Sequence, residues 1–169
     1  YYGAFNFFSG NGWLFTPAFH VLLTSYPYYY RTGSGMNSDL VARNTNDFSY
    51  LASFQVVKTG GFVSIGTDAG FSQLNYIMQA QASAFMTFYP LGNSSLYLGG
   101  KVSTVYSIEE NMGDLPLIYG VTLGFSIRSK VWFDFSGLDG YTFNYTEGNG
   151  FIVYNGTDVL TRKLYGRML

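Results

Sequence analysis

The chain has 169 residues, with nine Lys or Arg, ten Asp or Glu and one His, for a formal net charge of −1. That balance gives no electrostatic case for nucleic acid, and no local basic run supplies one. The absence of Cys excludes disulfides, thiolate metal sites and a Cys-linked lipid anchor. Charged residues make up 11% and aromatics 20%, against about 25% charged in typical globular proteins, a composition odd for a soluble domain.

The length suits a single domain over 1–169 with a real core. The start at Tyr1 without Met or a signal sequence reads as a mature or trimmed form. Residues 1–11, opening "YYGAFNFFSG", read as an N-terminal extension or the remnant of an earlier strand. "WLFTPAFHVLL" that follows is too short for a membrane helix and carries Pro and His, and no stretch approaches the roughly 18 apolar residues such a helix needs.

Alternation with period 2 then recurs along the chain. It predicts strands at about 12–25, 46–58, 61–70, 75–90, 95–108, 116–127, 130–143 and 159–169. The clearest run is "NYIMQAQASAFMTFY". There Tyr76, Met78, Ala80, Ala82, Ala84, Met86 and Phe88 share one face, while Gln79, Gln81, Ser83 and Thr87 share the other. Its fifteen residues far exceed the five or six of a typical soluble strand. Tight connections at "KTGG", "PLGNSS" and "IRSK" carry Gly, Asn and Ser turn chemistry. Longer polar ones fall at 25–46, 70–75, 109–116 and 138–158. Long and short connections in alternation describe an up-and-down antiparallel meander of eight strands.

On that topology the outward aromatics fall in two groups. Tyr50, Tyr76, Tyr106 and Tyr119 lie toward the long loops, and Trp13, Phe88, Phe125 and Phe133 toward the short turns. Aromatic girdles around an apolar band are the pattern of a transmembrane β-barrel. The expected fold is therefore an all-β barrel of about eight strands with its oily face toward lipid, closed because lipid cannot pair a free strand edge. The inward face is rich in Gly, Ser and Thr, which suits a narrow lumen.

The C-terminal third strengthens this expectation. "DGYTFNYTEGNGFIVYNGTDVLTRKLYGRML", after "SKVWFDFSG", resembles the final strand pair and last loop of outer-membrane β-barrel proteins of Bacteroidota-type Gram-negative bacteria. The resemblance covers about 40 residues and is one of style. It implies an outer-membrane location, with long loops outside and short turns in the periplasm. It departs from many bacterial barrels in ending at Leu169 rather than at a terminal aromatic.

Parity also places the polar chemistry. His20, Gln81, Lys101, Asp134, Lys163 and Arg167 face the lumen. Buried charges need partners, so Asp134 is expected beside Lys101, Lys163 or Arg167, plugging the narrow interior. His20 is the one candidate base, with Asp68 the nearest acid, but no G-x-S-x-G element accompanies it and no catalytic residue is assigned. Tyr28, Tyr29, Tyr30 and Arg31 in "SYPYYYRTG" are candidates for gripping a sugar or a partner protein, or form the stem of an extended hairpin. Acidic residues near the loops, Asp39, Asp47, Glu109, Glu110, Asp114, Asp139, Glu147 and Asp158, are of the type that holds a divalent ion bridging lipopolysaccharide, but they lack metal-site spacing and no site is assigned to them. No cofactor and no metal site are expected.

The expected function is a small outer-membrane anchor: a structural or partner-binding component of a larger envelope assembly for secretion, motility or uptake. Lipid or lipopolysaccharide and other envelope proteins are its expected partners. Three other readings stay open: a pore for small solutes, a lipid-modifying barrel enzyme using His20, and a soluble carbohydrate-binding β-protein.

Overall fold

The computed structural model describes residues 1–32, 39–74, 76–108, 115–128, 130–148, 152–153 and 161–168. Two short strands open the chain, β1 (Tyr2–Ala4) and β2 (Phe7–Ser9), followed by a 3-10 turn at Gly10–Gly12. Seven long strands follow in antiparallel order: β3 (Trp13–Thr32), β4 (Asp39–Gly60), β5 (Val63–Leu74), β6 (Ile77–Phe88), β7 (Leu96–Ser107), β8 (Leu117–Ile127) and β9 (Val131–Gly140). The short strands β10 (Thr146–Glu147) and β11 (Ile152–Val153) pair with each other, and β12 (Arg162–Met168) returns to β9. All eight expected strands are present.

The main sheet runs β1-β3-β4-β5-β6-β7-β8-β9-β12, with β2 also on β3. Each long strand pairs with its neighbour in sequence, as a meander requires. One expectation fails here: the sheet is not closed into a barrel. Among the described residues β12 pairs only with β9, and the opposite edge is β3 with its two short N-terminal partners. Closure depends on how far the sheet curls, which is a sum over all its registers and is not encoded in any one strand's alternation. Residues 1–11 do contribute strands, through β1 and β2.

A second difference concerns the connections. Most of the expected 25–46 loop is strand, because β3 and β4 stay paired out to Thr32 and Asp39. β5 joins β4 only from Tyr50 onward. The pairs from Leu22–Ser49 to Thr32–Asp39 therefore form a two-stranded ribbon projecting beyond the sheet on the loop side.

A third difference bears on function. The strand expected over 130–143 stops at Gly140, and the chain then turns into the concavity of the sheet rather than out into a surface loop. Gly140 sits at φ +131, and a Cβ there would lie 2.5 Å from the Leu117 carbonyl oxygen. Only glycine tolerates both the dihedral and the contact. Residues 141–148 form a strap across the interior, and Tyr145 at its centre is fully buried against Val105, Ile118 and Leu138.

Candidate functional site

Which face of the sheet is inside is settled by exposure. Val121 and Leu98 are 63% and 55% exposed, whereas Gln81 and Ser103 are 7% and 2% exposed. The interior holds most of the polar set together with a smaller apolar group that includes Leu51, Leu74, Val105, Ile118 and Leu138, and the outside carries the bulk of the apolar set. All eight girdle candidates lie on that outer face or beside it. Trp13 opens β3, Phe88 closes β6, and Phe125 and Phe133 stack at 5.1 Å near the β8–β9 turn. At the other end Tyr76 precedes β6, Tyr106 lies one residue from the end of β7, Tyr119 is third in β8, and Tyr50 opposes Gln73 near the end of β5.

The strap divides the interior into two tiers. Its loop-side contacts all come from the halves of strands nearest the long loops. Gln79 Nε2 donates to the Asn144 carbonyl at 2.6 Å. Gln81 Nε2 donates to the Thr146 carbonyl at 2.8 Å, and Gln81 Oε1 accepts from the Thr146 backbone N–H at 2.9 Å and its hydroxyl at 3.0 Å. Asn144, itself at φ +54, donates through Nδ2 to the Leu74 carbonyl at 3.3 Å. The Tyr145 and Ser103 hydroxyls lie 3.1 Å apart. Burial pushes the Tyr145 phenol above its ordinary pKa, with the Lys101 ammonium opposing. These buried polar groups of the strap are thus hydrogen-bonded to the surrounding strands, as buried polar groups in folded proteins are.

At the waist, Lys101 Nζ lies 3.1 Å from Asp68 Oδ2 and 5.8 Å from the centre of the Tyr145 ring. Ser83 donates to the other Asp68 oxygen at 3.0 Å. Of the three cations expected beside Asp134, Lys101 is not the one it meets: Lys101 pairs with Asp68 on β5, which the register puts opposite Ser83, two strands from Lys101 on the same face. Asp134 does meet one of its expected cations, Arg167, at 3.9 Å across the β9–β12 pair. It also accepts hydrogen bonds from Tyr97 Oη and, at 3.2 Å, from the Ser136 hydroxyl.

On the turn side of the strap lies a chamber of about 280 Å³. Gln55, Phe85, Thr87, Tyr97, Thr122 and Ser136 line it, with Glu147 of the strap above. The rings of Phe85 and Tyr97 lie over the glycines opposite them, Gly66 and Gly124. A Cβ on either glycine would meet ring carbon at 2.1–2.3 Å. Glycine there lets a large ring lie along the wall instead of filling the space. Sequence reading missed this chamber, and its signal was the aromatic–glycine pairing across neighbouring strands.

The other expected residues disperse. His20 stays on the inner face, edge-on to the Tyr2 ring at 5.6 Å. It opposes Leu51, whose β5 partner is Ser72. Asp68 is therefore four residues, roughly 13 Å along the strand, from the His20 row, and the two form no dyad. Lys163 sits over the Tyr165 ring at 4.8 Å, and Arg167 is largely exposed because β12 is an edge strand. Tyr29 and Tyr30 are exposed on the ribbon, while the side chains of Tyr28 and Arg31 lie outside the described residues. Among the acids expected in loops, Asp47 is buried on the inner face of β4, Asp139 pairs with Arg162 at 3.0 Å, and Glu147 faces the chamber. Glu109, Glu110, Asp114 and Asp158 lie outside the described residues, as does the side chain of Asp39. No group of three potential metal ligands occurs among the described residues.

No protein family, curated protein or solved structure matches this chain.

Proposed function

We propose that this protein is a small transmembrane β-barrel of a bacterial outer membrane, with its lumen plugged by its own strap, serving as an anchor or partner-binding component of an envelope assembly. One observation carries the reading: the face exposed to the surroundings is largely apolar, and most of the buried side chains are polar. In water that arrangement leaves an apolar surface far larger than the few hundred Å² a soluble monomer exposes. In a bilayer it is the expected one.

Dimensions agree. β5, β6 and β7 have 12 residues each, about 41 Å of extended chain at about 3.4 Å per residue. Tilted by about 40°, as barrel strands are, they rise roughly 30 Å, the thickness of a hydrocarbon core. Lipid would also require the two free edges to pair. The natural closure joins β12 to the edge formed by β1 and β3. Tyr2 of β1 already reaches toward the Gly148 carbonyl at 3.5 Å, so the N-terminal edge lies beside the chamber's strap. β12 carries Arg162, Lys163 and Arg167 whereas β1 and β2 carry no charge. This closure therefore sets no like charges against each other, whereas pairing two copies of β12 would. The projecting ribbon, with its exposed tyrosines, is the part best placed to meet a partner.

The test is membrane fractionation of the native protein with gel migration before and after boiling in detergent. Recovery with the outer membrane and a boiling-dependent shift are expected. Recovery in the soluble fraction with unchanged migration would overturn the reading.

A further inference from the structure

The chamber below the strap has a chemistry that a mere gap would not need. It is small, about 280 Å³, at the lower edge of the roughly 300–1,000 Å³ of ligand pockets. It therefore suits a single ring or a comparably small solute and excludes an oligomer. Its walls combine two kinds of surface. Phe85 and Tyr97 present flat aromatic faces, held against the wall by Gly66 and Gly124. Between them stand an amide and hydroxyls: Gln55, Thr87, Thr122 and Ser136.

The charged side chains in the chamber's lining are Lys101 and Glu147, one of each sign, and Lys101 is also held by Asp68. The lining itself therefore carries no net charge, and a neutral ligand loses nothing there. Apolar platforms with closely spaced donors and acceptors, and no net field, match a molecule with C–H faces and a rim of hydroxyls.

We propose that the chamber is a binding site for a neutral monosaccharide-sized polyol, entered from the short-turn end because the strap seals the loop end. The site depends on which face is interior and not on membrane insertion, so its failure is distinguishable from failure of the function proposed above.

Glycines of β7 provide the test. Gly99 faces the chamber, and a Cβ there would make only ordinary contacts, the nearest at 3.6 Å to Thr122. Gly100, its neighbour in the same wall, is exposed, and a Cβ there would lie in open space with nothing within 4 Å. The detergent-solubilised protein is titrated calorimetrically with glucose, galactose and mannose, each up to roughly 50 mM, where a site of Kd about 5 mM is nine-tenths filled. At least one hexose is expected to bind saturably. Gly99→Leu should weaken it at least about tenfold and Gly100→Leu by less than about twofold, with circular dichroism and a cooperative thermal transition reporting that each variant is folded. If Gly99→Leu does not fold, Thr87→Leu, on the strand opposite, takes its place with the same expectation. Absence of saturable binding by all three hexoses would overturn the proposal, and so would equal binding by the Gly99 and Gly100 variants. Binding of glucuronate as tight as that of the hexoses would overturn its charge argument.

Discussion

Between the strap and the long loops the interior is nearly filled, with a void of only about 20 Å³ beside Gln79, Val105 and Phe143: Tyr145 fills the space among Val105, Ile118 and Leu138, and Asn144 and Thr146 are hydrogen-bonded to β6. Between the strap and the short turns it is open, although the same strands form the walls. The difference comes from what each wall residue meets. In the loop half, Gln79 and Gln81 reach inward and find a backbone to satisfy them. In the turn half, the inward positions opposite Phe85 and Tyr97 are glycines, so the rings lie flat and space remains. One sheet thus holds a core at one end and a chamber at the other, and eight narrow strands need not be filled along their whole length.

The largest expected effect follows from replacing 141–148 with a Gly/Ser segment of equal length. The strap is the only part of the described interior that bridges the walls on the loop side, so its removal should join the chamber to the loop mouth. In a planar bilayer the native protein should be silent and the variant should show discrete current steps. On the barrel reading proposed above, a silent variant that is still folded would show that something other than the strap closes the interior. The same replacement uncovers Val105, Ile118 and Leu138 and removes the burial of Tyr145, which alone contributes about 1.5–3 kcal/mol.

A smaller effect is expected from Gln81→Leu. The side chain makes three hydrogen bonds to Thr146, and its loss leaves the Thr146 N–H and C=O buried without partners. Unmatched buried groups cost about 1–3 kcal/mol each, so a loss of about 2–6 kcal/mol is expected in urea unfolding from lipid vesicles. The outward neighbour Ala82, substituted by Leu, should change stability by less than about 0.5 kcal/mol. Equal effects at the two positions would mean that the strap does not depend on Gln81.

Much of this was legible in the sequence, and the limits are physical. Alternation assigns faces, because a strand's period of 2 is local; hence the inward Gln81, Lys101 and Asp134 and the outward Leu98 and Val121 follow from the text alone. The Asp134–Arg167 contact was within reach for the same reason, since both strands belong to one expected hairpin-like pair. The strap was not legible. Tyr141, Phe143 and Tyr145 continue the alternation of β9, and only the Gly140 backbone and partners some 65 residues away on β6 turn the segment inward. The Lys101–Asp68 pair was missed because it spans two strands, so a partner search along neighbouring strands passes over it. The open edges were missed because closure is a property of accumulated curl.

The smallest effects separate the two halves by their ion pairs. Lys101 and Asp68 at the waist are 23% and 11% exposed, whereas Arg162 and Asp139 at the loop edge of β12 are 77% and 61% exposed. Both pairs have nearly equal N–O distances, 3.1 and 3.0 Å, so distance cannot distinguish them and surroundings must. Water and salt screen the outer pair, and exposed pairs contribute about 0–1 kcal/mol. The waist pair is shielded by the strap, and removing Lys101 alone leaves Asp68 with only the Ser83 hydroxyl to compensate its charge. Double-mutant cycles with Lys101→Met and Asp68→Asn, and with Arg162→Met and Asp139→Asn, should give a coupling above about 1 kcal/mol for the first and below about 0.5 kcal/mol for the second. Raising the salt concentration should erase the second coupling and leave most of the first. Equal couplings with equal salt dependence would mean that water reaches the waist as freely as the rim, and the strap would then not be a seal.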